Sequence, residues 1–163
     1  MKRAERYDGY REKAETVGRD LGLTHWDVRH DSEAFQFTRP FALTAIGNAV
    51  AFWNRERLGM ELTQGVDEVS LALVADAWSR TYRSRAVTFS RTGGAQQTRT
   101  GLRIVPDQIA ASWPAEHLLP AIGNRQPARA LDEALQGIGT RYGMRTANFV
   151  AMQLEYPRLS ASP

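Results

Sequence analysis

Three polar residues near the start of the most regular part of the chain, Glu61, Asp67 and Ser70, are of the types that do acid–base or nucleophilic chemistry. Glu61 sits inside Leu58–Thr63, a short run that reads as a central strand, where an unpaired carboxylate is expensive. Either it faces an open side or pairs with an arginine such as Arg103 or Arg85, or it is a perturbed acid in a pocket shared with Asp67 and Ser70. His25, Asp27, His30 and Asp31 offer the ligand types that zinc accepts, but a five-residue histidine spacing does not put both rings on one helical face. That group reads as a polar connector, and no metal is expected. His117 reads as a packed or strand-edge histidine rather than a base. Six arginines and no acidic residue fall between Arg80 and Arg103. On extended backbone Arg83 aligns with Arg85, and Arg99 with Arg103. A basic ribbon of that kind tracks phosphates, yet arginine on an edge strand also blocks edge-to-edge pairing.

These residues need elements to position them. Apolar residues recur at helical spacing over 3–21, with Tyr7, Tyr10, Ala14, Val17 and Leu21 on one face and Gly22 as the stop. Residues 24–38 are polar and without period. Thr38 and Pro40 open a second helix whose Ala42, Ile46, Val50 and Trp53 share a face. From about residue 57 strands and helices alternate. Leu58–Thr63 reads as a strand, Gly65 as the turn, Asp67 as an N-cap and 68–82 as a helix with Val69, Leu73, Ala77 and Trp78 inward. Ala86–Ser90, Thr98–Val105 and His117–Ile122 read as three further strands, the middle one after a turn at Gly93-Gly94 and ended by Pro106-Asp107. Pro127 opens a helix carrying Ala130, Leu131, Ala134, Leu135, Ile138 and Tyr142; Gly143 breaks it, and a last helix runs from Thr146 to before Pro157. A strand–helix–strand order with short links implies parallel strands joined by a right-handed crossover, hence an α/β fold with helices flanking a small, mostly parallel sheet of about four strands.

Composition narrows the function classes. The length of 163 residues suits one core, and 42% hydrophobic with 24% charged residues argues against disorder. There is no cysteine, so no disulfide, no thiolate nucleophile and no cysteine metal ligand. No apolar run approaches the roughly 20 residues that span a bilayer, and the charged start of the chain does not read as a signal peptide. A cytoplasmic protein with no membrane partner and no cofactor is expected. The net charge of +3 rests on arginine, since Lys2 and Lys13 are the only lysines, and a charge this small does not by itself imply nucleic acid.

The stretch from Leu58 to Gly123 resembles the front half of the ThiJ/PfpI, or class I glutamine amidotransferase-like, superfamily. LGMELTQGVDEVSLALVADAW is similar to the family's first strand, turn and first helix, TYRSRAVTFS to its second strand, GAQQTRTGLRIVPDQ to its hairpin strand, and HLLPAIG to the strand before its Pro-Gly-Gly turn. The flanks resemble bacterial proteins in which a catalytic domain is followed by a degenerate copy. GRDLGLTHWDVRHD is similar to the end and exit linker of the first domain, and ALDEALQGIGTRYGMRTANFVAMQLEYP to the helical tail of the second.

This resemblance implies a truncated, flavodoxin-like, three-layer domain over 57–163 behind an N-terminal helical extension and linker over 1–56. It also implies what is missing. The family's cysteine nucleophile, its elbow and the histidine that follows are absent, and Ser70 stands where the family has its catalytic glutamate. No catalytic residue is therefore expected, and nothing else supplies an activated nucleophile. Three readings remain open. The first is a non-catalytic interaction, dimerisation or ligand-sensing module, paired with a second copy or a catalytic ThiJ/PfpI partner. The second is a DNA-associated regulator using Arg83, Arg85, Arg99 and Arg103, since relatives are sometimes fused to transcription factors. The third is a cysteine-independent enzyme around Glu61, Asp67 and Ser70. The first predicts an interface over Tyr7, Tyr10, Val17, Leu21 and Trp53, with Phe41 and Phe52 beside them, because a shortened sheet leaves apolar surface to cover.

Overall fold

Leu58, Met60 and Leu62 alternate along the chain, so a strand sends all three side chains to one face. The computed structural model, which describes residues 2–24, 32–50 and 52–158 and all their side chains except those of 2–9, 11, 34 and 52, puts that face into the core. Strand β1 (Glu56–Glu61) pairs in parallel with β2 (Ser84–Ser90), from Glu56 opposite Ser84 to Glu61 opposite Phe89. The link between them is α3 (Glu68–Ser79), so the strand–helix–strand unit forms as the sequence implies. Two local devices set it. Gly65 turns the chain at φ +77°, and Asp67 caps the helix by accepting a hydrogen bond from the Ser70 N–H at 2.7 Å.

At the other end of α3, Thr81 and Ser84 each donate a hydroxyl hydrogen bond to the Trp78 carbonyl at 2.8 Å. Both residues are fully buried, so these bonds satisfy an orphaned helix carbonyl before the chain enters β2.

The third strand of the sheet is not the one expected. Thr98–Val105 folds back on itself: the Thr98 N–H donates to the Leu102 carbonyl at 2.7 Å, and the Leu102 N–H to Thr98 Oγ1 at 3.0 Å. The result is a separate antiparallel hairpin, β3 (Gln96–Gln97) with β4 (Arg103–Ile104). Sheet order is β1-β2-β5, with β5 (Gln108–Ile109) parallel to β2. Asp107 secures this edge. Its Oδ2 accepts from the Thr88 N–H and hydroxyl at 2.8 and 2.9 Å.

The expected strand at His117–Ile122 is reduced to a bridge. Ala115–His117 is a 3₁₀ turn, and Leu118 then makes one parallel bridge to Gly59, with the Leu119 N–H donating to the Gly59 carbonyl at 2.9 Å. Pro120 follows and has no N–H to extend the ladder. Among the described residues the main sheet therefore has three strands instead of about four.

Helices α4 (Pro127–Tyr142) and α5 (Met144–Gln153) join α3 over the apolar face of β1, where Leu135, Ile138 and Val150 are fully buried. Trp113 closes the opposite face by lying over Gly59 and stacking on Phe89, ring centroids 5.3 Å apart.

The N-terminal helices attach by a few contacts. At the end of α1 (Lys2–Asp20), the Leu21 carbonyl accepts from the Ala128 N–H at 3.0 Å. Helix α2 (Arg39–Val50) packs on α5 through Phe41 against Phe149 and through buried Asn48, which donates to Thr146 Oγ1 at 3.3 Å. Of the apolar stripe legible in the sequence, Ile46, Val50 and Trp53 are exposed and Ala42 is half-buried.

Candidate functional site

The residues singled out for chemistry lie near the start of α3, where the Glu61 and Asp67 carboxylates are already paired and the Ser70 hydroxyl is buried. Glu61 makes a two-point ion pair with Arg91, Nε to Oε1 at 2.7 Å and Nη2 to Oε2 at 3.3 Å. Its partner is thus neither Arg85 nor Arg103. Arg91 lies just past the end of β2, two residues beyond the position opposite Glu61 in the register.

Asp67 is buried. One carboxylate oxygen caps α3 and the other pairs with Arg99 at 2.5 Å, so a residue expected to face a ligand and one expected to face nucleic acid hold each other. The hairpin brings Arg99 there. The Gly65 N–H donates to the Gln97 carbonyl at 2.7 Å, and the Arg99 N–H to the Val66 carbonyl at 3.0 Å. Thr100 donates to Glu68, and this bond, with one from the Glu68 backbone N–H, holds that carboxyl below the usual glutamate range.

Ser70 is completely buried, and its hydroxyl has no hydrogen-bond partner among the described residues. A buried, unpartnered hydroxyl carries a desolvation penalty that alanine would remove. Ser70→Ala should leave stability unchanged or raise it by about 1 kcal/mol in urea unfolding. A marked loss would show that the hydroxyl serves a bond or a bound group.

The arginines do not form one ribbon. Arg83 precedes β2 and stacks on the Tyr142 ring at 4.9 Å, while Arg85 stands on the strand directly opposite Arg57. Arg99 lies in the turn of the hairpin, so it does not align with Arg103, which is exposed on β4 opposite Gln97. His117 ends the 3₁₀ turn, half-buried. The group His25, Asp27, His30 and Asp31 lies outside the described residues, as does the Tyr7 side chain. Tyr10 and Val17 are exposed and Leu21 is half-buried.

A second cluster escaped the sequence reading. Glu56 Oε2 accepts from Arg141 Nε and from the Tyr142 hydroxyl, both at 2.6 Å, and Arg141 also donates to the Glu116 carbonyl at 2.9 Å. Burial pushes the Glu56 pKa up, but the bonds from Arg141 and Tyr142 and the Arg141 charge outweigh it, leaving the carboxyl below its ordinary range. Burial, and then the bond to that carboxylate, push the Tyr142 phenol up. Glu56 and Arg141 are 85 positions apart, and no local spacing connects them.

No family model matches the chain, and no curated protein matches it. Two solved structures are similar. An AraC family transcriptional regulator from Pseudomonas putida aligns at 13% identity and a TM-score of 0.49, over 61% of this chain and 99% of that one. Oxidised DJ-1 from Toxoplasma gondii aligns at 12% identity and a TM-score of 0.48, over 62% of this chain and 98% of that one. At that level neither assigns a family or an activity. Among the described residues no helix is long and apolar enough to cross a membrane.

Proposed function

We propose that the chain is a non-catalytic, ThiJ/PfpI-like α/β module that associates with a second copy of itself through α2. The observation that carries this reading is the outward face of that helix. Leu43, Ile46 and Val50 are 56–70% exposed, and Trp53 just beyond is 72% exposed. Leu43, Ile46 and Val50 share one face of α2, and proteins rarely leave such an apolar stripe uncovered.

The choice of occupant rests on charge and shape. Residues 40–54 contain no charged side chain, so two copies meet without like-charge repulsion, whereas a strongly charged partner would find nothing to pair with. Gly47 lies within the stripe with open space above it, which allows two helix backbones a close approach about a two-fold axis. The catalytic half of the reading rests on chemistry. The chain has no thiol, Ser70 stands at the position resembling the family's acid, and Asp67 is sealed by Arg99.

Light scattering coupled to size exclusion at micromolar concentration should give twice the chain mass. Ile46→Asp and Val50→Asp should each give the monomer mass with an unchanged melting temperature, because neither residue belongs to the core. A monomeric native chain removes the proposal. So does glyoxalase, deglycase or peptidase turnover that survives repurification and disappears in Glu61→Gln.

A further inference from the structure

Between α2 and the start of α5 lies an open groove of about 700 Å³, a volume in the range of small-molecule sites, which shares Leu43 and Gly47 with the outward stripe. Phe41, Leu43 and Pro40 give it an apolar wall, and its lining includes Arg83, Arg145 and Arg158 and, among the described residues, no acidic side chain. Two of these guanidinium groups stand over aromatic rings, Arg83 over Tyr142 at 4.9 Å and Arg158 over Phe41 at 5.1 Å. Stacking fixes the Arg83 guanidinium plane and leaves its in-plane N–H donors for a ligand.

Arg145 is the most informative of the three. It makes no ion pair or hydrogen bond with any described residue. It also sits in the first turn of α5, which has no acidic residue to offset it. Its side chain is exposed, and a cation at the positive end of a helix dipole weakly opposes helix formation, so an anion beside it would be favourable.

We propose that this groove binds a small organic anion, with a carboxylate or phosphate head held by Arg83 and Arg145 and an apolar or aromatic body lying along Phe41 and Leu43. Bidentate guanidinium bonds to such a head are among the stronger polar contacts, and the apolar wall separates an organic anion from a bare ion. The site lies on the α5 side of α2, so it is separate from the residues around Glu61 and Asp67. It shares Leu43 and Gly47 with the self-association stripe, so binding is also read in the Ile46→Asp variant, whose altered residue does not line the groove.

The test is calorimetric titration of the full chain in physiological salt with phenyl phosphate, phenylacetate, benzyl alcohol and inorganic phosphate. One or both aromatic anions should bind at one site per chain, the tighter one showing which head is preferred. Benzyl alcohol should not bind, and inorganic phosphate should bind at least tenfold more weakly. Arg145→Gln should weaken the aromatic anion about tenfold, the equivalent of one lost charge-assisted bond, with no fall in melting temperature. Ile46→Asp, whether monomeric or not, should bind as the native chain does. Three results would overturn the site: no saturable binding of either aromatic anion at millimolar concentration, affinity unchanged in both Arg145→Gln and Arg83→Gln, or inorganic phosphate binding as tightly as phenyl phosphate.

Discussion

Trp113→Ala is expected to lower the unfolding free energy by about 3 kcal/mol, the lower end for loss of a large aromatic, because the ring is only half-buried. The ring serves as the cover on one face of the β1–β2 ladder, stacked on Phe89, which is almost completely buried. Its seat requires a glycine. A Cβ at position 59 would lie 2.4 Å from Trp113 Cγ, a distance real side chains do not tolerate, so Gly59→Ala must push the indole away. Overpacking of this kind costs about 1–3 kcal/mol. The two changes share one contact and should not add. In the Trp113→Ala background, Gly59→Ala should cost little, and urea unfolding of the two single variants and the double variant measures the difference directly. Additive losses would mean that Trp113 does not occupy the space above Gly59, and the description of that face would fail.

The chain shows which parts of such a structure can be read from its residues and which cannot. The β1–α3–β2 unit was legible because its signals are local: alternating Leu58, Met60 and Leu62, a turn glycine, a capping aspartate and then helical spacing. Helix α4 was legible for the same reason, with Pro127 at its first position and Gly143 at its end. A hairpin was legible here but not its bounds: the turn was expected at Gly93-Gly94 and one strand over Thr98–Val105, whereas two-residue strands carry no period and the deciding bonds run between Thr98 and Leu102.

The site was half legible. Asp67 and Ser70 do meet, but only folding shows that Arg99, 32 positions away, closes over the aspartate. Helix α2 gives the sharpest case. Periodicity finds a stripe but not its direction, and the more apolar stripe faces out while Phe41 and Asn48 face α5.

That arrangement makes Phe149 the residue on which both proposed surfaces depend. It is almost completely buried, and its ring lies 6.4 Å from those of Phe37 and Phe41 and 5.9 Å from that of Tyr82. Tyr82 links α3 to β2 at a positive φ of 60°, unfavourable for a bulky residue, and its contact with Phe149 helps to hold it there. On the α2 side the aromatic contact is joined by the bond from Asn48 to Thr146, three residues before Phe149 on α5. Phe149→Ala should therefore cost about 3–5 kcal/mol, a large share of the stability of a domain this size. Its distribution should be uneven. The β1–α3–β2 unit and α4 are anchored by Leu58, Ala77, Leu135 and Ile138, which do not depend on this ring, whereas α2 has few other attachments. Amide hydrogen exchange should consequently rise most over residues 39–50, with smaller changes in β1 and α4. With α2 released, the outward stripe and the groove lose their common support, so Phe149→Ala should reduce both self-association and binding of the aromatic anions. If exchange over 39–50 stays at its native rate while global stability falls by that amount, α2 is held by something other than this aromatic cluster.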